Sequence, residues 1–376
     1  MSKIVVLGCG AVGWHMAVDL CKAPGCEVVS VDVNRETLER LAREHPVQTR
    51  VEDLSTAEGV TRAVEDADLV IGSVPYSIGF AMLESVIRAG KNIVDISYFP
   101  QDPFGLDDLA KEMGVTAVVD CGVVPGMANI ILGDHARKMT VTRYECYVGG
   151  VPKAKDAPFA YKSPFPVLEV LEEYAGSGTM VADGELVVEP MLAETATIEL
   201  EKVGTLACLN SDGLRTLIRT MDIPDMFEKT LRYPEHVNLM RVFRDIGFLD
   251  QAPIQVEGGT VRPIDVTAAL LTPHWTYEPG EPDLTVMRLV ISGEDDGKPA
   301  TYTYDLCDEY DPETRTPSMA RTTGFTCTAV ARLVLDGEYS RKGICPPEFV
   351  GLSVGCRNRV EKYLEDRGVR CRARRT

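Results

Sequence analysis

The stretch that most constrains this chain is its opening. Ile4 to Leu7 is a short apolar run, Gly8-Cys9-Gly10-Ala11-Val12-Gly13 follows at once, and an amphipathic segment runs from Trp14 to Lys22. This spells strand, glycine turn, helix. Gly8 lets the chain turn sharply off the strand, Gly10 removes a side chain where backbone must approach a pyrophosphate, and Gly13 lets the helix pack closely on the strand. The helix then directs its unpaired N–H groups and positive dipole end at phosphate. A lone GxGxxG is a weak signal; here the context sharpens it. A second strand, Glu27 to Val31, ends in Asp32, 22 residues beyond Gly10, where an acid hydrogen-bonds the adenosine ribose hydroxyls. The cofactor set read from this stretch is Gly8, Gly10, Ala11, Val12, Gly13, Asp32 and Val33. An acid at this position repels a ribose 2′-phosphate, so the cofactor expected is NAD rather than NADP. Arg35 works in the opposite direction, since it can partly accommodate a phosphate.

The alternation continues. Arg35 to Glu44 reads as a helix with Asn34 as its N-cap, Gln48 to Val51 as a strand, and Thr56 to Glu65 as a helix. Asp68 to Ser73 is a strand running into Val74-Pro75-Tyr76, and Gly79 to Ala89 is a helix. Asn92 to Ile96 is a strand leading to Ser97-Tyr98, Leu106 to Met113 a helix, and Thr116 to Val119 a strand that runs into Asp120 to Gly126. Strand and helix alternating six times predict an α/β fold, a doubly wound parallel sheet of the Rossmann type. Ligands lie beyond the carboxyl ends of such strands, which adds Val74, Pro75, Tyr76, Gly122 and Pro125 to the cofactor set. Asp53, after the third strand, has two readings: a contact to the adenine amino group, or an exposed loop acid.

Met127 to Met139 reads as a crossover helix, after which the character changes. Tyr144 to Gly150, Leu186 to Val188 and Thr197 to Leu200 look like strands, and Thr285 to Ser292 with Thr301 to Leu306 forms a hairpin about Glu294 to Gly297. This predicts an α+β substrate domain with a mostly antiparallel sheet. The expected division is a dinucleotide-binding domain over 1–125, a substrate and dimerisation domain over 126–320, and C-terminal helices over 321–376 that pack back on the first domain. Those helices are Gly324 to Leu335 and Arg357 to Asp366. Pro152 to Pro166, which carries Phe159, Tyr161 and Phe165, reads as an ordered loop.

Composition excludes several functions. A net charge of -18 argues against nucleic acid as a partner, since phosphate neutralisation needs a basic surface. The one basic cluster, Arg367 to Arg375, reads as a solvated tail. No apolar run reaches the ~20 residues that span a bilayer, and no secretory leader is expected. The eleven cysteines form no CxxC pair or zinc-like spacing, so no metal is expected. Cys9, Cys21, Cys26 and Cys121 sit in apolar elements and read as buried reduced thiols, which suits the cytoplasm. The partners expected are a small amino-acid substrate and further copies of the chain, as a homodimer or higher homo-oligomer.

Motifs spread along the chain carry a family resemblance. They are ValProTyr at 74–76, AspIleSerTyr at 95–98, AspCysGlyValValProGlyMet at 120–127, GlyGlyValPro at 149–152, TyrLysSerPro at 161–164, GluGluTyr at 172–174, AsnSerAspGlyLeuArgThrLeu at 210–217 and LysThrLeuArgTyrPro at 229–234. Over nearly its whole length the chain resembles the saccharopine dehydrogenase (saccharopine reductase) and lysine 6-dehydrogenase family. That resemblance implies NAD(P)-dependent oxidation of a carbon–nitrogen bond in a lysine-derived substrate. The saccharopine branch usually carries Asp in the ProGly loop, Cys before GlyGly and Arg before the Asp of the later loop; this chain has Val124, Val148 and Ser211 there. Those positions contact substrate in that branch, so their change implies a substrate without saccharopine's dicarboxylate arm. The 210–217 segment looks closer to lysine 6-dehydrogenases, which turn L-lysine into 2-aminoadipate 6-semialdehyde and ammonia.

Such chemistry needs a neutral amine. A lysine ammonium has a reference pKa near ~10.4, so a base or a desolvating pocket must remove a proton. Asp95, Tyr98 and Asp120 follow strand ends on the cofactor side, and any of them can hold the amine or relay its proton. Asp120 is equally readable as a helix cap or as a brace for the ProGly turn. Tyr76 can touch the nicotinamide and substrate, or be a domain-interface aromatic. Lys162 is a further base candidate if burial lowers its pKa, and an exposed charge otherwise. Arg215 and Arg232 are the carboxylate clamps, with structural ion pairs as their alternative, and Arg232 is favoured for its aromatic setting beside Tyr233. Asn210 and Asp212 complete the substrate set. His236 and the His274-Trp275 pair carry no signal that lifts them above core or surface roles. Two rival functions remain: a saccharopine dehydrogenase acting on a secondary amine, and a catalytically silent NAD(H)-binding protein.

Overall fold

Strands of near-continuous apolar residues need cover on both faces, and the first part of the chain supplies it. The computed structural model describes residues 1–155, 158–193 and 196–376. These fall into two units, Met1–Lys138 with Ala320–Arg370, and Met139–Met319 with Cys371–Thr376. The first unit opens with β1 (Ser2–Leu7), β2 (Cys26–Asp32), β3 (Gln48–Val51), β4 (Leu69–Gly72), β5 (Ile93–Asp95) and β6 (Thr116–Val118). The helices between them are α1 (Gly13–Leu20), α2 (Arg35–Glu44), α3 (Ala57–Val64), α4 (Tyr76–Arg88) and α5 (Asp107–Glu112). Ile4, Val5, Val6 and Leu7 are fully buried, as a central strand requires. Asn34 caps α2 by accepting from the Thr37 N–H, and Thr56 caps α3 by accepting from Gly59.

α6 (Met127–Ala136) follows, with nine of its ten residues buried, the signature of a helix enclosed on every side. The sequence reading gave this helix to the second domain; it belongs to the first unit. Its place is explained by glycine contacts. A Cβ on Gly133 would lie 2.1 Å from the Glu348 carbonyl oxygen, and one on Gly351 would lie 2.2 Å from that of Ile130, so two backbones meet face to face.

In the second unit, β7 (Thr140–Pro152) is followed by α7 (Val167–Ala175), the hairpin β8 (Ser177–Ala182) and β9 (Glu185–Pro190), then β10 (Thr197–Leu200) and β11 (Gly204–Asn210). Next come α8 (Leu217–Thr220), β12 (Asp225–Arg232), α9 (Pro234–Asp245), a small hairpin of β13 (Ile254–Val256) and β14 (Gly259–Val261), α10 (Pro263–Trp275), β15 (Asp283–Asp295) and β16 (Lys298–Glu309). Asp295 pairs with Lys298, leaving Asp296-Gly297 as a two-residue turn with both φ angles positive, 51° and 74°. That is the turn whose twist matches paired strands. α7, α9 and α10 cover one face of the sheet through a core that includes Leu171, Tyr174, Leu209, Met240, Leu271 and Trp275.

α11 (Ser318–Leu335) leads back to the first unit. There β17 (Gly343–Cys345) pairs parallel with β6, and α12 (Pro347–Leu352) and α13 (Cys356–Glu365) follow. The first sheet is therefore seven parallel strands in the order β17-β6-β5-β4-β1-β2-β3. β18 (Cys371–Arg375) closes the chain by pairing antiparallel with β16. The second sheet runs β10-β11-β12-β7-β15-β16-β18 with the β8–β9 hairpin attached at β12. It is antiparallel throughout except for the parallel β12–β7 pair.

Two expectations are corrected. The Arg367 to Arg375 cluster is not a solvated tail: Arg367 Nε donates to the buried Asp19 carboxylate at 2.6 Å, and residues 371–375 form β18. A strand pairs through its backbone, so surface arginines are no obstacle. Of the four cysteines read as buried, Cys9 and Cys121 are, whereas Cys21 and Cys26 are half-exposed; all eleven are free thiols. Among the described residues no helix is long and apolar enough to cross a membrane, and no group of side chains has the makings of a metal site.

Candidate functional site

In the first unit, the carboxyl ends of β1, β4, β5 and β6 each run into a loop that polar side chains hold in place. Gly8, with φ of 97°, has no room for a Cβ, which would stand 2.0 Å from the Ser73 carbonyl oxygen; a Cβ on Gly13 would stand 2.1 Å from that of Gly8. At Gly10 the same position is open space. Packing therefore demands the outer two glycines, and the middle one leaves a gap. α1 follows with no side-chain cap at Val12, and its Trp14 N–H donates to the Gly10 carbonyl at 3.1 Å. Asp32 braces this turn: Oδ2 accepts from the Cys9 N–H at 2.7 Å and Oδ1 from the Asn34 N–H at 2.8 Å. Val33 beside it is exposed. An open cradle of amides with an acid at the end of β2 fits a dinucleotide. Asp53 accepts from both the N–H and hydroxyl of Ser55, at 2.9 and 2.6 Å, in the turn that opens α3.

Asp95 is fully buried at the end of β5. Its Oδ1 accepts from the Ser97 N–H at 3.0 Å, and the Ser97 hydroxyl accepts from the Val74 N–H at 3.1 Å. One acid thereby ties two loops together. The fit is close: a Cβ on Gly72 would lie 2.1 Å from Asp95 Oδ1. Pro75 precedes α4, whose first residue is Tyr76, and Tyr98 is 40% exposed next to the buried Phe99. Asp120 is buried in a positive-φ conformation, 54°. Beyond it the loop closes on itself: Gly122 N donates to Pro125 O and Met127 N to Gly122 O, both at 3.0 Å. The Gly126 N–H donates to Asn129 Oδ1 at 3.1 Å, and Asn129 Nδ2 donates to Glu348 Oε2 at 3.0 Å.

The second unit holds a different kind of site. Pro234 cannot continue a strand and suits the first turn of a helix, so β12 ends at Arg232 and the chain turns into α9. Arg232 Nε donates to the Tyr174 hydroxyl at 3.1 Å, and Nη1 to the Leu231 carbonyl at 2.9 Å. Its guanidinium lies 5.1 Å from the centre of the Tyr161 ring. Among the described residues no carboxylate is within ion-pair range of it. α7 brings Tyr174 here because Val167, Val170, Leu171 and Tyr174 form its buried stripe. The Tyr161 loop is pinned by the Ser163 N–H donating to the Trp275 carbonyl at 2.8 Å.

His236 completes the cage. It stacks on Tyr161 at 4.3 Å, with Trp275 edge-on to Tyr161 at 4.7 Å. Burial, aided by Arg232, pushes its pKa down to about 3, so the ring is neutral. One arrangement of protons then satisfies every contact. His236 Nδ1–H donates to the Phe159 carbonyl at 3.2 Å, Tyr174 O–H donates to Nε2 at 2.9 Å, and the Tyr174 oxygen accepts from Arg232. The buried Trp275 Nε1 and Tyr277 hydroxyl have no acceptor among the described residues. Lys162 is engaged: Nζ meets Glu281 Oε2 at 2.5 Å and its side chain is only 13% exposed.

The 210–215 loop wraps a carboxyl that sequence reasoning missed. Glu228 on β12 is buried, and burial, with Asp212 and Glu173 adding to it, pushes its pKa up to about 8. Ser211 Oγ donates to Glu228 Oε1 at 3.2 Å, and a Cβ on Gly213 would lie 2.1 Å from that same oxygen. Asn210 is occupied by the Pro190 carbonyl at 2.8 Å and by Lys229 at 2.5 Å. Arg215 has φ of 41°, and its N–H donates to the Asp212 carbonyl at 3.3 Å. Asp212 itself is exposed. Glu173, the other carboxyl missed, precedes Tyr174; burial raises its pKa, with Arg232 opposing. The one sequence signal for it was the GluGluTyr run at 172–174.

This architecture, with a glycine cradle on a seven-stranded parallel sheet and a separate mixed sheet, is that of a two-unit α/β oxidoreductase. Residues 4–118 match the family model described as the saccharopine dehydrogenase NADP binding domain, and residues 118–368 match the saccharopine dehydrogenase C-terminal domain. The chain belongs to the saccharopine dehydrogenase family. It is similar to the saccharopine dehydrogenase (NADP(+), L-glutamate-forming) of Pyricularia oryzae, at 23% identity over 92% of this chain and 93% of that one. It is similar also to the carboxynorspermidine synthase of Vibrio cholerae, at 24% identity over 91% of each. The solved structure of apo histidine-tagged saccharopine dehydrogenase (L-Glu forming) from Saccharomyces cerevisiae has the same fold, with a TM-score of 0.81, 19% identity and 100% of both chains covered.

Proposed function

We propose that this chain is an NAD-dependent L-lysine 6-dehydrogenase, which oxidises the side-chain amine to 2-aminoadipate 6-semialdehyde and releases ammonia. The observation that carries the proposal is Arg232, a guanidinium with no ion-pair partner among the described residues, in a cage of Tyr161, Tyr174, His236 and Trp275. A buried cation without a counter-ion is costly, and a substrate carboxylate relieves that cost. Trp275 N–H and Tyr277 O–H, donors without acceptors, suit the same anion. A bound nicotinamide dinucleotide supplies the hydride acceptor. The chain's task is to hold the substrate, remove the ammonium proton and admit the water that releases ammonia. Asp95, Tyr98 and Asp120 are the candidates for the proton; Lys162 is a poor one, since Glu281 already engages its Nζ.

Two features favour lysine over saccharopine. Val124 and Val148 offer no polar contact to a second amino-acid arm, and Ser211 donates to the buried Glu228 rather than presenting a cation. A substrate with further carboxylates would meet acids there. For the cofactor, the names of the family model and of the Pyricularia relative carry NADP. Asp32 is the reason to propose NAD, because its carboxylate is fixed by two amides and would repel a 2′-phosphate. The test is kcat/KM for lysine and saccharopine with NAD⁺ and NADP⁺. Lysine with NAD⁺ should lead; saccharopine leading by tenfold, or neither reacting, overturns the reading.

A further inference from the structure

We propose that Glu173 receives the α-ammonium of the substrate, so that Arg232 and Glu173 together recognise a complete α-amino-acid head group. The inference rests on Arg232 as the carboxylate clamp and adds the other half of the zwitterion. Four observations lead to it. Glu173 directly precedes Tyr174, whose hydroxyl accepts from Arg232 Nε at 3.1 Å, so the acid sits on the helix that the guanidinium already touches. Its carboxyl makes no hydrogen bond or ion pair among the described residues. Trp275 Nε1, fully buried in the same cage, also lacks a partner among the described residues, as an enclosed site does when built for a ligand. Finally, burial pushes the Glu173 carboxyl up and Arg232 opposes that rise, so the guanidinium acts on this acid without a direct ion pair.

Glu228 is the obvious competitor and is the weaker choice. It accepts from Ser211 Oγ, and at Gly213 the space beside it does not admit even a methyl group. A ligand ammonium has no way in there. Glu173 is half-buried. Asp212, which adds its own negative charge to the surroundings of Glu173, makes them more favourable for a cation. An acid and a base that stay apart in the unliganded protein are each desolvated without full compensation. A zwitterion satisfies both at once, whereas an isolated carboxylate or amine satisfies one.

The test separates head-group recognition from the reaction. Binding of L-norleucine, hexanoate and 1-aminopentane to the full-length protein with NADH is measured by calorimetry; none of the three carries a side-chain amine to oxidise. L-Norleucine should bind at least tenfold more tightly than either of the others. In Glu173→Gln the norleucine affinity should fall ten- to a hundredfold while hexanoate binding stays within twofold. Arg232→Gln should weaken both. If lysine is turned over, Glu173→Gln should raise KM with kcat within threefold, and 6-aminohexanoate, which lacks the α-amine, should be used equally by both proteins. Norleucine and hexanoate binding alike, or Glu173→Gln weakening both equally, overturns the inference. Absence of lysine turnover with head-group selectivity intact sinks the proposed reaction and leaves this recognition standing.

Discussion

The two units handle charge in opposite ways. In the first, the polar side chains around the strand ends are committed to the protein itself. Asp32 holds Cys9 and Asn34, Asp95 holds Ser97, Ser97 holds Val74, and Asn129 links Gly126 to Glu348. What this unit offers the cofactor's phosphates is backbone, at Gly10 and the start of α1. In the second, Arg232 and Glu173 have no ion-pair partner among the described residues, inside an aromatic frame. What it offers is side-chain charge. A cofactor that many enzymes share is met by a scaffold of amides. A substrate that few share is met by a few uncommitted charges on a fixed support.

That contrast predicts where a mutation is felt. Removing an uncommitted charge should damage substrate use and leave folding intact. Arg232→Met should lower kcat/KM for the amino-acid substrate by about a hundredfold or more, since each charge-assisted hydrogen bond contributes roughly 1.5–3 kcal/mol. Its melting temperature should hold or rise, because a desolvated cation is gone. A fall in stability with unchanged KM would make Arg232 a structural residue and erase the contrast.

Removing a committed side chain should do the reverse. Asn129→Ala strips a partner from the buried Glu348 carboxylate and from the Gly126 N–H, so unfolding free energy should drop by about 1–3 kcal/mol. NADH affinity should weaken along with it. A denaturation curve that matches the parent protein would show that the loop holds itself.

Glu228 sharpens the comparison through pH. Its pKa stands near 8 in the folded chain against about 4.3 unfolded, so the fold favours the proton. The stability it contributes is complete below the unfolded pKa and is lost as pH climbs through 8, at up to about 1.4 kcal/mol per pH unit. Glu228→Gln should therefore match the parent protein near pH 4.5 and exceed it increasingly up to pH 8. Melting curves that stay parallel across that range would remove Glu228 from the titration.

The smallest effect belongs to Asp32. Asp32→Ala should narrow the preference for NAD⁺ over NADP⁺ by roughly three- to tenfold, or up to ~1.4 kcal/mol, and loosen the turn at Cys9. An unchanged ratio would assign the acid to bracing alone.

Much of the first unit was legible because its signals are local. The apolar runs, the glycine turn, and the cap at Asn34 each lie within a few residues of what they specify. β17 escaped notice: three residues carry no period, and only the vacant edge of β6 makes Gly343–Cys345 a strand. The cage was illegible for a related reason. Tyr161, Tyr174, Arg232, His236 and Trp275 come from a loop, a strand and three helices, and no spacing in the sequence joins them. Arg232 was found through its motif, but the absence of a counter-ion is a property of the fold. Glu228 was missed because an alternating strand pattern does not say which face is closed by a glycine loop.

β17 also sets an order of events during synthesis. When the ribosome has released β6 and α6, the sheet still has a bare edge, and the Gly133 face of α6 still lacks the Gly351 backbone that covers it. Both gaps are filled only after Met139–Met319 of the second unit has been translated. A nascent chain stopped near residue 138 thus presents an unpaired strand and an apolar helix, the features that drive aggregation. The dinucleotide unit should mature late although its sequence comes first.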